Sequence, residues 1–396
     1  MTVRVNKSAF NIREKLSELA VKFGLKGSEL MRAETAQDAR DLVSAGRRNI
    51  IINGDMAIDQ RKSGSAFTLS NSNSRFFCVD RFQLWNYPAG ATGVYTLQRL
   101  TSNPAPGFYH YLRWTVSTAT TVSSLVNSFY AIQQTIEGNN LKTLGIGTSH
   151  AKPSVISFWV RSSLAGNRSF SLFVSGGAVS NYMANYTITQ ANVWEHKTIK
   201  IPPLTSGTGE QNGAATGLIL SWSMGMGTTY STTDTTDGFY ANKYELGNSV
   251  IQVETVDSTF DITGVQFEVG KNATDFEHRS YGEELALCQR YYILHAAAAA
   301  SRPICTAAAY STTRAFGVVH LPVPMRTAPS VVATSGPNNF YFFTNSNGGA
   351  GFSTLTLQET SVHSVTVETS NSLSVISGHA GWIRANVGAL AFNAEI

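Results

Sequence analysis

The chain has 396 residues, with 14% charged, 11% aromatic, 33 glycines and a net charge of +4. That length allows two or three domains with sizeable cores, and the abundance of Gly, Ser, Thr, Asn and aromatic residues points to an all-β chain with many turns. No apolar run reaches transmembrane length, and Cys78, Cys288 and Cys305 are too few, too scattered and odd in number for a metal-ligand spacing or a disulfide framework.

Residues 1–50 hold ten Lys or Arg against six Asp or Glu, and the remaining residues hold twenty of each, so the whole positive surplus sits at the start. Acidic residues are interleaved there, which argues against nucleic-acid binding and for a solvated helical docking segment. Ser8 caps a predicted helix that runs to Phe23, with Ile12, Leu16, Leu19 and Phe23 on one stripe. Thr35 and Asp38 open a second helix that Gly46 ends. Two short helices with narrow stripes make no core by themselves. They pack on the chain's own sandwich, on sister chains or on a larger assembly. No signal peptide opens the sequence, so the expectation is a protein made in a cytoplasm and carried elsewhere by an assembly. The string "VNKSAFNIREKLSELAVKFGLKGSELMRAETAQDARDLVSAGRRNIIINGDMAIDQR" resembles the N-termini of structural proteins of tailed phages of marine cyanobacteria. The resemblance implies that residues 1–46 attach the protein to a virion, with Ile12, Leu16, Leu19 and Phe23 as the docking face.

Residues 47–282 carry strand signals at regular spacing. Strand character begins at 50–52; Leu112, Trp114 and Val116 alternate with Tyr111, Arg113 and Thr115; Tyr130, Ile132, Gln134 and Ile136 with Phe129 and Ala131; and Ile156, Phe158 and Val160 with Val155 and Trp159. Phe170, Leu172 and Val174 follow, then Leu218, Leu220, Trp222 and Met224, with a further strand at 250–253. About ten strands without intervening helices predict an antiparallel jelly-roll sandwich. The phrases "CVDRFQLW", "SFWVRSS" and "VWEHKTIKIP" resemble carbohydrate-binding-module-like jelly rolls of phage proteins. Asp80 and Arg81 are expected to form a structural salt bridge. Asp234 and Asp237 lie in "TTDTTDG", which reads as a solvated loop in place of a calcium site. Tyr182, Tyr186, Tyr230 and Tyr240 read as wall or core residues more than as sugar-stacking ones.

Around 261–292 the chain changes character. Ile262, Val265, Phe267 and Val269 alternate as a strand with Gly264 as a bulge, and Ser280 then caps a helix with Glu283 three residues on. Leu285, Cys288 and Tyr292 form one apolar stripe of that helix, and Leu287, Tyr291 and Leu294 a second, which predicts burial on two sides. The first stripe is the expected interface of a homotrimer. "QFEVG" followed by "ATDFEHRSYGEELALCQRYY" resembles the end of the sandwich domain in phage fibre and adhesin-type virion proteins, where the chain passes to a distal domain.

Residues 283–396 therefore read as a linker helix and a small β tip domain, with strands at 315–321, 330–333, 339–343, 353–357, 364–367 and 382–387. "VVHLPVPMRTAPSVV" resembles the opening of small phage-fibre tips, which are generally trimeric. Only seven of residues 301–396 are charged. The loop 336–351 offers Asn338, Asn339, Tyr341, Asn345 and Asn347 as candidate glycan contacts, amides for hydroxyls and a ring for C–H faces, and the scarcity of charge suggests neutral glycans.

No HExxH, no GxSxG, no nucleotide-binding glycine pattern and no repeated rungs appear, so the expectation is a protein that is not an enzyme and needs no cofactor or metal. The reading is a mainly β virion protein, a tail fibre or receptor-binding protein, forming a homotrimer and partnering other virion proteins and a host-surface glycan. The alternative is a head fibre or capsid decoration protein without receptor specificity.

Overall fold

A computed structural model describes residues 48–396 apart from 71–73, 88–92, 123–125, 178–180, 210–212, 299–300, 345–348 and 370–372. The helices expected at 1–46, with Ile12, Leu16, Leu19 and Phe23, lie outside the described residues. Asn49–Ile396 forms one unit, mainly antiparallel sheet with one α-helix among the described residues.

Strands are numbered along the chain. The first sheet runs edge to edge through β1 (Phe67–Ser70), β4 (Val94–Leu100), β5 (Tyr111–Thr118), β13 (Thr259–Val269), β7 (Ser154–Ser162) and β10 (Glu195–Ile201). The second runs through β12 (Gly238–Tyr240), β9 (Asn181–Ile188), β8 (Gly166–Val174), β11 (Thr216–Met226), β6 (Phe129–Glu137), β3 (Phe82–Tyr87) and β2 (Ser74–Phe77). Alternation decides what lies between them. Leu218, Leu220, Trp222 and Met224 of β11 and Ile156, Phe158 and Val160 of β7 share one buried core. There Phe158 meets Trp222 edge to face at 5.6 Å. Each such side chain contributes roughly 1.5–3 kcal/mol on burial. The expected antiparallel sandwich is thus present.

β13 carries the expected bulge. Gly264 has φ +62, and its register with β7 slips between Thr263 and Gln266. The ring of Phe108 lies over it, so a Cβ at this position would come within 2.5 Å of that ring. Two expected strands are absent. Residues 50–52 join no ladder: Ile50 N–H donates to the Phe267 carbonyl at 2.9 Å, and Ile52 exchanges two hydrogen bonds with the Gln134 side chain, its N–H donating to Oε1 at 3.0 Å and its carbonyl accepting from Nε2 at 2.9 Å. The stretch at 250–253 instead contributes to a 3-10 turn, Gln252–Glu254.

α1 (Tyr281–Gln289) starts as read from the sequence, with Ser280 Oγ accepting from Glu283 N–H at 3.3 Å. It ends three residues before Tyr292, and the expected stripes do not form. The chain instead continues as β14 (Tyr292–Ala296), because β23 (Leu390–Asn393) offers it a backbone partner, Tyr292 opposite Asn393 and Leu294 opposite Ala391. β17 (Ser330–Ala333) completes this three-stranded sheet on the other side of β23. Cys288 is fully buried with Ile52, Ile58 and Tyr291, with Leu285 packed against them, and Tyr292 is 8% exposed. Cys288 and Tyr292 therefore belong to the chain's own packing, which corrects their assignment as an interface between copies.

The fourth sheet has the order β19 (Gly349–Phe352), β18 (Phe340–Phe343), β22 (Ala380–Ala385), β15 (Arg302–Ala309), β16 (Ala315–His320), β21 (Ser364–Thr369) and β20 (Leu355–Thr360). One face of it, through Phe340, Phe342, Ile383, Ala385, Val319 and Val367, builds a second core with Phe392 and Leu390. The two cores meet at a polar joint. Glu137, at the end of β6, accepts from Arg290 Nη2 at 2.6 Å, Arg290 Nε at 2.9 Å and the Tyr291 hydroxyl at 2.8 Å. Arg81 stacks over the Tyr291 ring at 3.6 Å and pairs with Glu395. Arg326 donates to the carbonyls of Ala214, Ala394 and Glu395. The expected Asp80–Arg81 pair is not made: Arg81 adopts φ +70, and Asp80 turns instead to Arg61 at 3.4 Å and to Gln60.

Candidate binding surface

The fourth sheet has a second face, and its composition is unusual. Period-two alternation places Tyr341 and Phe343 of β18 opposite to the buried Phe340 and Phe342. In β22 the same rule puts Trp382 and Arg384 on the outer side while Ile383 and Ala385 enter the core. Backbone pairing then sets these residues side by side. Tyr341 lies across from Arg384, and Phe343 from Trp382, while Trp382 lies across from the exposed Thr306 of β15 on its other side. Phe343 and Trp382 stack at 5.4 Å with ring planes 14° apart, and Tyr341 follows Phe343 at 5.7 Å. Arg384 holds its guanidinium 4.5 Å from the Phe343 ring centre. Trp382 remains 44% exposed.

Glycines keep one flank open. Gly351 and Gly349 of β19 lie across from Tyr341 and Phe343, and a Cβ on Gly349 would come within 2.9 Å of the Phe343 ring. Further along the same outer side, Ala308, Val318 and Thr366 continue the face, with Val318 49% exposed. The arrangement is a shallow platform of rings with a cation at one end and small or hydroxylated residues beside it. Such a platform can stack on the C–H face of a sugar ring and hydrogen-bond at its rim.

Of the five loop residues proposed from sequence, Tyr341 reaches this platform. Asn339 serves the turn itself: its Nδ2 donates to Thr334 Oγ1 at 3.3 Å, and its carbonyl accepts from Asn386 and Gly388 N–H. Asn338 occupies the left-handed region at φ +54, with its side chain beside Gly351. Asn345 and Asn347 lie outside the described residues. Phe343, Trp382 and Arg384 were not singled out from sequence.

Elsewhere, the described residues hold no group of three His, Cys, Asp or Glu side chains placed for a metal ion. Asp234 accepts from Thr236, and Asp237 from Asn185. Tyr182 and Tyr186 are buried in the sandwich core, and Tyr230 packs with Tyr244 on Phe129. All three thiols are free, and burial pushes Cys78 and Cys305 up to about 12. A second depression, lined by Tyr182, Lys200, Pro202 and Lys271, sits at the edge of β10. Its tyrosine hydroxyl is already engaged by the Lys200 carbonyl at 3.2 Å.

No protein-family description and no curated protein matches the chain. Solved structures do. A carbohydrate-binding module, TmCBM61 in complex with β-1,4-galactotriose, overlaps with a TM-score of 0.26 at 10% identity over 57% of this chain and 100% of its own. The family 11 carbohydrate-binding module of Clostridium thermocellum, in complex with a β-1,3-1,4-mixed-linked tetrasaccharide, gives 0.24 at 13% identity over 54% and 98%. The enzymatically active domain of tailspike protein 4 from bacteriophage CBA120 gives 0.27 at 12% identity, over 56% of this chain and 21% of its own. Overlaps this weak bear on neither ligand nor activity.

Proposed function

We propose that this chain is a non-catalytic adhesion protein of a tailed-phage particle, a tail fibre or receptor-binding protein. In this reading residues 1–46 hold it to the virion, copies assemble as a homotrimer, and the outer face of the distal sheet touches a host-surface glycan. One observation carries the glycan assignment: the half-buried Tyr341 and Phe343 and the exposed Trp382 form a contiguous row on the outer side of a sheet whose opposite face already supplies a complete core. The rings are therefore not required to close the fold, and a contiguous apolar patch on a strand face marks an interaction site. The non-catalytic reading is supported by buried carboxylates that are engaged within the fold, such as Asp261, which takes ion pairs from Arg113 and Arg161 at 2.7 Å. Individual sugar contacts are weak, on the order of 1 kcal/mol per net hydrogen bond, and three tips on one trimer would multiply them into useful avidity.

The test is competition for adsorption. Purified full-length protein should block attachment of the phage that carries it, and Trp382→Ala should abolish that block while the protein stays folded. An unchanged block by Trp382→Ala refutes the platform. A label that decorates the head, with no effect on attachment, would support the capsid-decoration reading instead.

A further inference from the structure

The scarcity of charge in 301–396 suggests neutral glycans, but the placement of Arg384 argues the reverse. Deepening the adhesion reading and resting on it, we propose that the platform takes an anionic saccharide, and that Arg384 receives its carboxylate or sulfate.

Of the five arginines in residues 290–396, Arg302 is exposed to solvent, and Arg384 is the half-buried one left without a partner among the described residues. Arg290 is engaged by Glu137, Arg314 by Glu368 and Arg326 by three carbonyls. Arg384, by contrast, has no hydrogen-bond or ion-pair partner among the described residues, and its Nε is buried without one. Three carboxylates occur in this stretch. Glu368 is held by Arg314, and Glu395 by Arg61 and Arg81. Glu359 lies on β20, four strands away from β22. No carboxylate of the tip is therefore placed to neutralise Arg384.

A half-buried guanidinium held against aromatic rings has lost part of its hydration, and it recovers most from a planar, bidentate oxyanion. Phe343 fixes the fork on one side, while Tyr341 across the strand pair and Trp382 two residues back give the sugar ring its stacking surface. Anion recognition and ring stacking thus fall on the same few ångströms of sheet. A two-fold contact between copies through this face would bring arginines together with no carboxylate to meet them.

The experiment measures binding of the purified full-length chain to pairs of oligosaccharides, each neutral sugar matched with its uronate-bearing and sulfated counterparts. The native chain should favour the acidic member by about tenfold or more, the scale of one charged hydrogen-bonded contact, and the preference should shrink as salt rises. Arg384→Gln should erase the preference and keep residual binding to the neutral member. Arg384→Lys should retain part of it, since a point charge lacks the fork. Comparing uronate with sulfate arms separates the two anion sources. Equal binding of acidic and neutral members, or an unchanged preference in Arg384→Gln, overturns the inference and leaves the adhesion reading standing. Absence of any sugar binding, native or variant, overturns both. A drop in oligomer mass of Arg384→Gln or Trp382→Ala by light scattering overturns both in favour of an interface between copies.

Discussion

The sandwich and the tip use the same side chains in opposite ways. Trp114 and Trp222 of the sandwich have no exposed surface, and they sit in tilted and edge-to-face clusters with Tyr95, Phe158 and Phe170. Trp382 of the tip is 44% exposed and stacks almost parallel to Phe343 on the solvent side. Of the sandwich's large exposed apolar residues, Tyr109, Val126, Val193 and Val256 fall between strands and Phe239 lies on the short edge strand β12, whereas Val318 and Trp382 fall within interior strands of one sheet. Rings in the first region hold the fold together. In the second, Phe340, Phe342, Phe352 and Phe392 do the same, while Tyr341, Phe343 and Trp382 lie on the outer side of the sheet.

Substitution of paired tryptophans sharpens that contrast most. Trp222→Ala should destabilise the sandwich by about 3–5 kcal/mol, because the surrounding core relaxes only partly into the cavity. Urea unfolding with an unchanged slope and a lowered midpoint would register it. Glu137→Ala attacks the joint between the regions and should cost a similar amount, roughly 3–5 kcal/mol, since Arg290 is left without its counter-charge. Calorimetry should then resolve the tip melting separately from the sandwich, where the native chain melts as one unit.

pH acts in opposite directions on the joint and on the sandwich interior. Burial pushes Glu137 upward, but the hydrogen bonds from Arg290, Asn139 and Tyr291 outweigh it and hold the carboxyl below 4.5. Its contribution is present above the unfolded value and fades as pH falls through the folded one. Glu245 behaves oppositely. It is fully buried against Ser223, and desolvation raises it from 4.5 to about 7. The folded chain then holds a proton that the unfolded chain has released, so stability declines as pH rises from about 4.5 to 7. Glu245→Gln should remove that decline, raising stability at pH 8 by on the order of 1–3 kcal/mol and changing little near pH 4. Thermal unfolding at the two pH values checks it. The smallest effect belongs to Trp382→Ala, which should alter stability by about 1 kcal/mol or less despite the size of the side chain. A loss comparable to that of Trp222→Ala would mean that the outer face is structural after all.

Much of the fold was legible because local alternation and tertiary burial agree. Leu218, Leu220, Trp222 and Met224 point inward wherever the strand is placed, and Ser280 caps its helix through bonds three residues long. What escaped is what depends on distant partners. Tyr292 and Leu294 satisfy a helical stripe equally well, and only β23, roughly a hundred residues later, makes them a strand. Asp80 and Arg81 look like a pair until Arg61 and Glu395 are seen on either side. In "AGWIRA", Trp382 and Ile383 are both apolar, so alternation alone does not say which faces water; the register with β18 settles it. The platform was therefore half visible, in Tyr341, while Trp382 and Arg384 belong to a strand that folding alone brings alongside.

The central place of β23 in the three-stranded sheet also sets a clock. β14 and β17 do not pair with each other and meet only through β23. On a ribosome adding about 5–20 residues per second, β14 waits roughly 5–20 s before its partner is made. Throughout that interval one strand edge beside the finished sandwich stays open to neighbouring nascent chains. Slowing translation between 296 and 390 should therefore lower soluble yield more than the same pause placed before 259.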